Sequence, residues 1–408
     1  MRTTPHLVCL SLAAALFAGA AFADLKIGYI DPLSGGAASA GVNSQKHVQF
    51  FIDKINAAGG LNGEKLELLS YDNKVNPQES LIMLKKAIDE GARIIFQGNG
   101  SAVAHAITDA VLKNNERNPG KEVLFFNYAA IDPALTNEKC HFWHFRFDAD
   151  VDMKMGALTD TIAKDPKIKK VYLINQDYSF GKAVSAAAKT MLAAKRPDIQ
   201  VVGDELHPLQ KVQDFSPYVA KIKASGADTV ITGNWSNDML LLFKAGKDAG
   251  LKVNYFTYYG GGLGSVPAIG ADGVGYLKQV TEYHNNILPT PDPDEVAFHK
   301  RYTDKSDEFY YWRLKNTFEM LAAAATKAKS NDPVKIARAL EGMKLNTVFG
   351  PMEMRADNHQ LLQPLFVSTL SDKVKYGLEG TSLGFVTDRK IDAKDTALPT
   401  TCKMQRPS

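Results

Sequence analysis

From residue 24 onward, short strand-like runs alternate with amphipathic helical runs, and this alternation restricts the chain to an α/β fold built on parallel sheets. Residues 25–30 read as a strand. A helix follows in which Val48, Phe51, Ile52 and Ile55 fall at i, i+3, i+4 and i+7, closed by Gly59-Gly60. Residues 66–71 are the next strand, and Asn76-Pro77 opens a helix with Leu81, Leu84 and Ile88 on one face. Residues 93–96 return as a strand, Ser101 starts a helix, and 123–126 is strand again. Repeated strand-then-helix order needs crossover connections, which place helices on both faces of a parallel sheet. The pattern restarts after Arg146-Phe-Asp-Ala-Asp150. Helices near 151–164, 180–194, 216–224 and 238–249 alternate with strands at 171–174, 199–202, 229–232 and 255–258. Two similar halves therefore share one chain. Residues 285–294, rich in Pro and Asp, read as a connection, and helices at about 310–329 and 333–343 must pack onto one of the existing sheets.

The first 23 residues have a different character. A short cationic start at Arg2, an apolar run over residues 7–18 and the sequence Ala21-Phe22-Ala23 are the three parts of a cleavable export signal. The apolar run is too short to cross a bilayer as a helix. Cys9 lies inside it, upstream of the cleavage site, which argues against a lipid anchor. The mature protein is expected to begin near Asp24, outside the cytoplasm. The 408 residues carry 48 Lys and Arg against 45 Asp and Glu, and the leader holds only Arg2 among these, so charge gives no case for nucleic-acid or membrane-surface binding. Two cysteines remain after processing, Cys140 and Cys402, in a compartment that permits disulfides. A bond between them and two unpaired thiols are both compatible with the sequence.

Catalytic signatures are absent. The chain has no Gly-x-x-x-x-Gly-Lys-[Ser/Thr], no His-Glu-x-x-His and no Gly-x-Ser-x-Gly. Gly260-Gly-Gly-Leu-Gly264 follows a strand but lacks the dinucleotide spacing, as does the first strand-to-helix loop. His141 and His144 flank Phe142-Trp143, yet only Cys140 stands near them, and a structural role beside the crossover between the halves is the better reading. Lys167-Ile-Lys-Lys170 reads as a solvated turn.

Several local motifs then fall into a recognisable order: Ile27-Gly-Tyr-Ile-Asp-Pro-Leu-Ser-Gly35, Ile55-Asn-Ala-Ala-Gly-Gly-Leu-Asn-Gly63 followed by Tyr71-Asp72, Asp132-Pro-Ala-Leu-Thr136, Asp177-Tyr-Ser-Phe-Gly181 and Asp214-Phe-Ser216. No one of these is diagnostic, but in this order and spacing the chain resembles the periplasmic substrate-binding proteins of ABC importers, of the leucine/isoleucine/valine-binding type, over residues 24 to about 385. The resemblance implies two doubly wound parallel-sheet lobes joined by a three-strand hinge, the type I periplasmic binding protein fold, which closes on a ligand. Lobe one would be residues 24–147 with 284–357, lobe two 148–283 with 358–385, and 386–408 a tail. It also implies a monomer without enzyme activity, cofactor or metal, which hands its cargo to an inner-membrane ABC permease.

Ligand positions follow residue by residue. The loop Gly98-Asn-Gly100-Ser101-Ala102 ends a strand and opens a helix, so its backbone N–H groups and the Ser101 hydroxyl would face a carboxylate, with the positive end of the helix dipole behind them. Ser101 as an ordinary helix cap fits the same geometry. The next loop, containing Ala130 and Ile131, would add backbone groups, with Ile131 at or beside the family's threonine. Amino-acid binders of the family place a glutamate just after the strand at 255–258 to neutralise the ligand's ammonium; here the chain reads Tyr258-Tyr259-Gly260-Gly261. A buried ammonium without an anionic partner loses several kcal/mol. Tyr178, Phe180, Trp235 and Tyr310 supply aromatic faces, and Tyr258 and Tyr259 phenol groups. Stacked rings add about 0.5–1.5 kcal/mol each, which favours a flat ligand, although about half of such rings are expected to serve core or hinge packing. The expectation is therefore a small organic anion, an aromatic acid of the benzoate or hydroxycinnamate kind. The alternatives are a branched-chain amino acid, amide or urea, with Asp31 or Asp72 as counter-ion, or a periplasmic sensor.

Overall fold

The computed structural model describes residues 24–407, so the expected leader lies outside the described residues. The first half builds β1 (Leu25–Asp31), α1 (Ala38–Ala57), β2 (Leu66–Asp72), α2 (Pro77–Asp89), β3 (Ile94–Gln97), α3 (Ser101–Arg117), β4 (Leu124–Asn127) and β5 (His144–Arg146). Its strands form a five-stranded parallel sheet in the order β2-β1-β3-β4-β5. β3 and β4 are buried along their whole length, as strands covered by helices on both faces must be.

The second half adds α4 (Val151–Ala163), β6 (Lys170–Gln176), α5 (Ser179–Lys195), β7 (Gln200–His207), α6 (Ser216–Ser225), β8 (Thr229–Thr232), α7 (Asn237–Asp248), β9 (Asn254–Thr257), α8 (Ser265–Ile269) and β10 (Leu277–Thr281). After it come α9 (Pro293–Arg301), α10 (Trp312–Ala328), α11 (Pro333–Leu340), β11 (Lys344–Thr347), β12 (Gly350–Met354), β13 (Leu361–Leu362), β14 (Leu365–Ser371) and β15 (Gly384–Ile391). α10 and α11 share one core with the first sheet, where Phe51 and Phe96 pack against Phe318 at ring-centre distances of 5.7 and 5.1 Å. The second sheet has seven strands in the order β15-β14-β10-β9-β8-β6-β7, with β14 and β15 antiparallel to their neighbours. Fold class and two-lobe architecture agree with the sequence reading.

The boundaries differ from it in two places. β13 pairs with β12 in a small antiparallel sheet, with Leu361 in the lobe-one core and Leu362 in the lobe-two core, so the third crossing between lobes falls within β13 and not near residue 357. β15 pairs with β14 as far as Ile391, so the tail expected from residue 386 begins inside a strand. Half of β15 faces solvent and carries charges, which hides it from a search for apolar runs.

The crossings are knitted together by buried amides. Gln360 Nε2 donates to the Asp148 carbonyl at 2.8 Å, and Gln363 Nε2 donates to that of Phe147 at 2.8 Å. Beyond β15 the chain crosses once more. Ile391 and Ala393 belong to the lobe-two core, whereas Thr400 donates to the Thr136 carbonyl at 3.2 Å and Arg406 to Glu341 at 2.7 Å, both in lobe one. Cys402 is bonded to Cys140 across a sequence separation of 262, which settles the open question of their pairing. Closing so long a loop restricts the unfolded chain, and loss of such a bond costs about 2–5 kcal/mol. Urea unfolding of Cys402→Ser, or of the wild type under reductant, is expected to show a stability lower by that amount; equal midpoints with and without reductant would show the bond to be energetically idle.

Candidate functional site

The site begins with a carboxylate that never reaches it. Asp31 ends β1 fully buried, and it accepts the Gly98 N–H at 3.0 Å, the Asn99 N–H at 2.8 Å and the Tyr128 hydroxyl. Asn99 Nδ2 donates to the Tyr128 oxygen at 3.0 Å, and Ser44 Oγ of α1 lies 2.8 Å from it. Burial pushes Asp31 up to about 7, and the three donors act against that shift. The network draws the loop after β3 down onto β1 and β4. Gly98 is needed there, because a Cβ would lie 2.6 Å from the Tyr128 ring. Gly100 follows with φ of 97°, and this left-handed turn starts α3.

What the loop offers a ligand is therefore narrower than the sequence suggests. The Gly98 and Asn99 amides are consumed by Asp31, and the Ala130 amide by Asn127 Oδ1 at 2.7 Å. The first turn of α3 has no side-chain cap. The Ser101 hydroxyl accepts the Asp132 N–H at 3.3 Å and makes no donation to the protein, so its proton can be donated elsewhere. Unspent amides, the helix dipole and this hydroxyl together form a corner suited to an anion.

That corner opens into a cavity between the lobes with an empty volume of about 570 Å³, its mouth included. Gly100, Ser101, Ala130, Ile131, Tyr178, Phe180, Trp235, Tyr259 and Tyr310 all line it. Ala102 and Tyr258 do not. Ala102 points away on the next helical position, and Tyr258 is a core residue behind Phe180, its hydroxyl donating to the Val151 carbonyl at 3.0 Å. In lobe two, Trp235 Nε1 donates to the Tyr178 hydroxyl at 2.9 Å, and the Phe180 ring sits 5.8 Å from Tyr178 and 6.1 Å from Tyr259. Across the mouth, Ser39 Oγ and Ser236 Oγ are 3.2 Å apart, and Ser236 donates to the Gly36 carbonyl at 3.1 Å. These contacts join the lips of the two lobes.

Sequence reasoning missed Ser39, Ser236, Leu263 and Arg313 on the cavity wall. Arg313 lies in the first turn of α10 while Tyr310 precedes that helix, so no helical spacing links the two in the sequence. Its Nη1 lies 2.9 Å from Glu282 Oε1 and 3.2 Å from Asp148 Oδ2, and Lys154 Nζ lies 2.8 Å from Asp148 Oδ1. All four side chains are buried. Two cations and two anions balance, which is the condition for such a cluster to be tolerated away from water. Among the described residues no carboxylate lines the cavity. Asp31 is spent on the loop, and Asp72 accepts the Leu33 N–H at 2.9 Å, the Lys74 N–H at 3.0 Å and the Ser34 hydroxyl at 2.5 Å, so neither offers itself as a ligand's counter-ion.

The His141 and His144 rings are buried in the protein's own hydrogen bonds. His141 Nε2 lies 3.0 Å from the Thr108 carbonyl and His144 Nε2 lies 3.2 Å from Asn127 Nδ2, while Cys140 is taken by the disulfide. Among the described residues no group of three or more His, Cys, Asp or Glu is placed to hold a metal ion.

Residues 24–375 match the periplasmic binding protein family. Leu/Ile/Val-binding protein homolog 4 of Brucella abortus (strain 2308) is 38% identical over 410 residues, covering 98% of this chain and 97% of its own length. The closed structure of the leucine-, isoleucine-, valine-, threonine- and alanine-binding protein from Brucella ovis superposes with a TM-score of 0.81 at 36% identity, over 94% of this chain and 100% of its own. A solute-binding protein from Rhodopseudomonas palustris BisB5 in complex with 3,4-dihydroxybenzoic acid gives a TM-score of 0.77 at 20% identity, over 91% of this chain and 98% of its own, a likeness that speaks for the fold alone. With two lobes, an inter-lobe cavity and these relatives, the chain belongs to the periplasmic binding protein family, the ligand-capturing components of ABC transporters, and within it to the leucine/isoleucine/valine-binding type.

Proposed function

We propose that the ligand is a small neutral α-amino acid, captured between the lobes and delivered to a membrane permease. The observation that carries this reading is the corner of Ser101 and the first turn of α3, which opens into a cavity otherwise walled by rings and small side chains. A carboxylate at one end and an apolar body at the other match that wall. The sequence alone favours an aromatic acid; the relatives support the alternative, since the Brucella ovis protein, 36% identical over nearly all of this chain, is an amino-acid-binding protein and the one in complex with an aromatic acid is 20% identical.

The ligand's ammonium then needs support without a carboxylate in the wall. Tyr178, Trp235, Tyr259 and Tyr310 line the cavity, and a cation over a ring face gains about 0.5–2 kcal/mol. Carbonyl and hydroxyl oxygens supply the remaining acceptors. The missing carboxylate is also the specific observation that favours the second reading, an aromatic acid, which carries no ammonium.

Calorimetric titration of the protein, cleared of bound ligand, separates the two. Leucine, valine or alanine is expected to bind and benzoate or 4-hydroxybenzoate to give no heat; the reverse result replaces the first reading with the second. Ser101→Ala is expected to weaken the bound amino acid by about tenfold or more, because a hydrogen bond to a charged group contributes about 1.5–3 kcal/mol. An unchanged affinity would move the carboxylate elsewhere.

A further inference from the structure

Beside the cavity, two carboxylates from different lobes meet. Glu308 lies in lobe one, between α9 and α10, and Glu379 in lobe two, between β14 and β15. The Glu379 N–H donates to Glu308 Oε1 at 2.6 Å, and Glu379 Oε1 accepts the Gly264 N–H at 2.6 Å. Both ends of this joint lead to the cavity wall, because Gly262 and Leu263 precede Gly264 and Tyr310 follows Glu308 by two residues. Glu379 is held with φ of 51°, in the left-handed region that residues other than glycine seldom adopt.

The joint lacks a strong cation. Among the described residues the one basic group within 4 Å of either carboxylate is His299 of α9, 3.9 Å from Glu308 Oε2, and burial lowers that imidazole below its ordinary value. Lys305 lays its stem against Gly380 without pairing with either acid, and Asp307 is taken by Lys46 at 2.5 Å. Glu295 of α9 adds a like charge from within lobe one, where the Tyr283 hydroxyl donates to it. With the lobes apart, water surrounds Glu308 and Glu379, and each keeps the ordinary glutamate value of about 4.3. Brought together they lose that water. Burial pushes Glu379 up to about 7, the Gly264 N–H acting against the shift and the Glu308 charge adding to it, and burial raises Glu308 as well. Between those two values the closed form holds a proton that the open form lacks, so acid favours the closed form.

Resting on capture between the lobes as proposed above, we infer that Glu379 is a positioning residue of this joint and that closure on the ligand takes up a proton there, so that binding strengthens as pH falls and weakens as pH rises. The test is calorimetric titration of leucine near pH 5.5 and near pH 7.5 into the wild type and into Glu379→Gln. Glutamine keeps an acceptor for the Gly264 N–H and removes the charge. Leucine has the same charge at both pH values, so a proton taken up goes to the protein. The wild type is expected to bind about tenfold more tightly near pH 5.5 than near pH 7.5. Near pH 6.5, heats measured in two buffers of different ionisation enthalpy are expected to show uptake of about half a proton or more. In Glu379→Gln the affinities at the two pH values are expected to agree within about threefold, with that near pH 7.5 at least as tight as the wild type's. Wild-type affinities that agree within about threefold, or binding without proton uptake, overturn the inference whatever the variant does. An undiminished pH dependence in Glu379→Gln also overturns it, and assigns the proton to another group. Failure of leucine to bind the wild type at either pH overturns the amino-acid reading, and this inference with it.

Discussion

The buried Asp31 carboxylate is the interaction on which the site depends. It gathers the end of β1, two consecutive amides of the loop after β3 and the first residue after β4 into one hydrogen-bonded knot. A charge buried this deeply is tolerated only when donors surround it, and the donors are the loop itself. Holding Gly98 and Asn99 inward forces the left-handed turn at Gly100 and sets Ser101 at the mouth of α3. The corner that meets a ligand is thus shaped by a residue that the ligand never touches. This is a short-range form of the rule that open α/β sheets place ligands at the carboxyl ends of their strands.

Around that corner, closure is a matter of a few joints. Two connections carry acids that converge on Arg313, Asp148 after β5 and Glu282 after β10, and the third is tied to the first through Gln360 and Gln363. Cavity wall and hinge therefore meet in one charged cluster. The tail adds a further crossing, beginning in the lobe-two core at Ile391 and ending covalently on lobe one at Cys402. This strap packs beside β12 and β13, next to the third connection between the lobes.

Much of this order is legible in the sequence because its cause is periodic. Alternating runs specify strands and helices, and strands buried on both faces are the easiest to see, as β3, β4 and β8 illustrate. β14 and β15 escape because they are antiparallel additions at the sheet's edge, β15 with one face in water. At the site, residues named through their place after a strand, such as Ser101 and Trp235, line the cavity, while Tyr258 and Tyr259 show the limit of that logic. Adjacent tyrosines at a strand's end point to opposite sides, so one enters the cavity and the other the core. The roles of Asp31 and Arg313 arise from partners far away in sequence, and no spacing announces them. Asp31 looked available as a counter-ion when only its charge was visible; its three donors decide otherwise.

The account is tested most directly by calorimetric titration of leucine into Asp31→Asn beside the wild type. Asparagine preserves the shape of Asp31 but cannot accept both loop amides as a carboxylate does. If Asp31 positions the corner that holds the ligand's carboxylate, affinity falls by tenfold or more, about 1.4 kcal/mol, in a variant that remains folded. An affinity equal to that of the wild type would contradict the account, because the loop would then keep its shape without the knot.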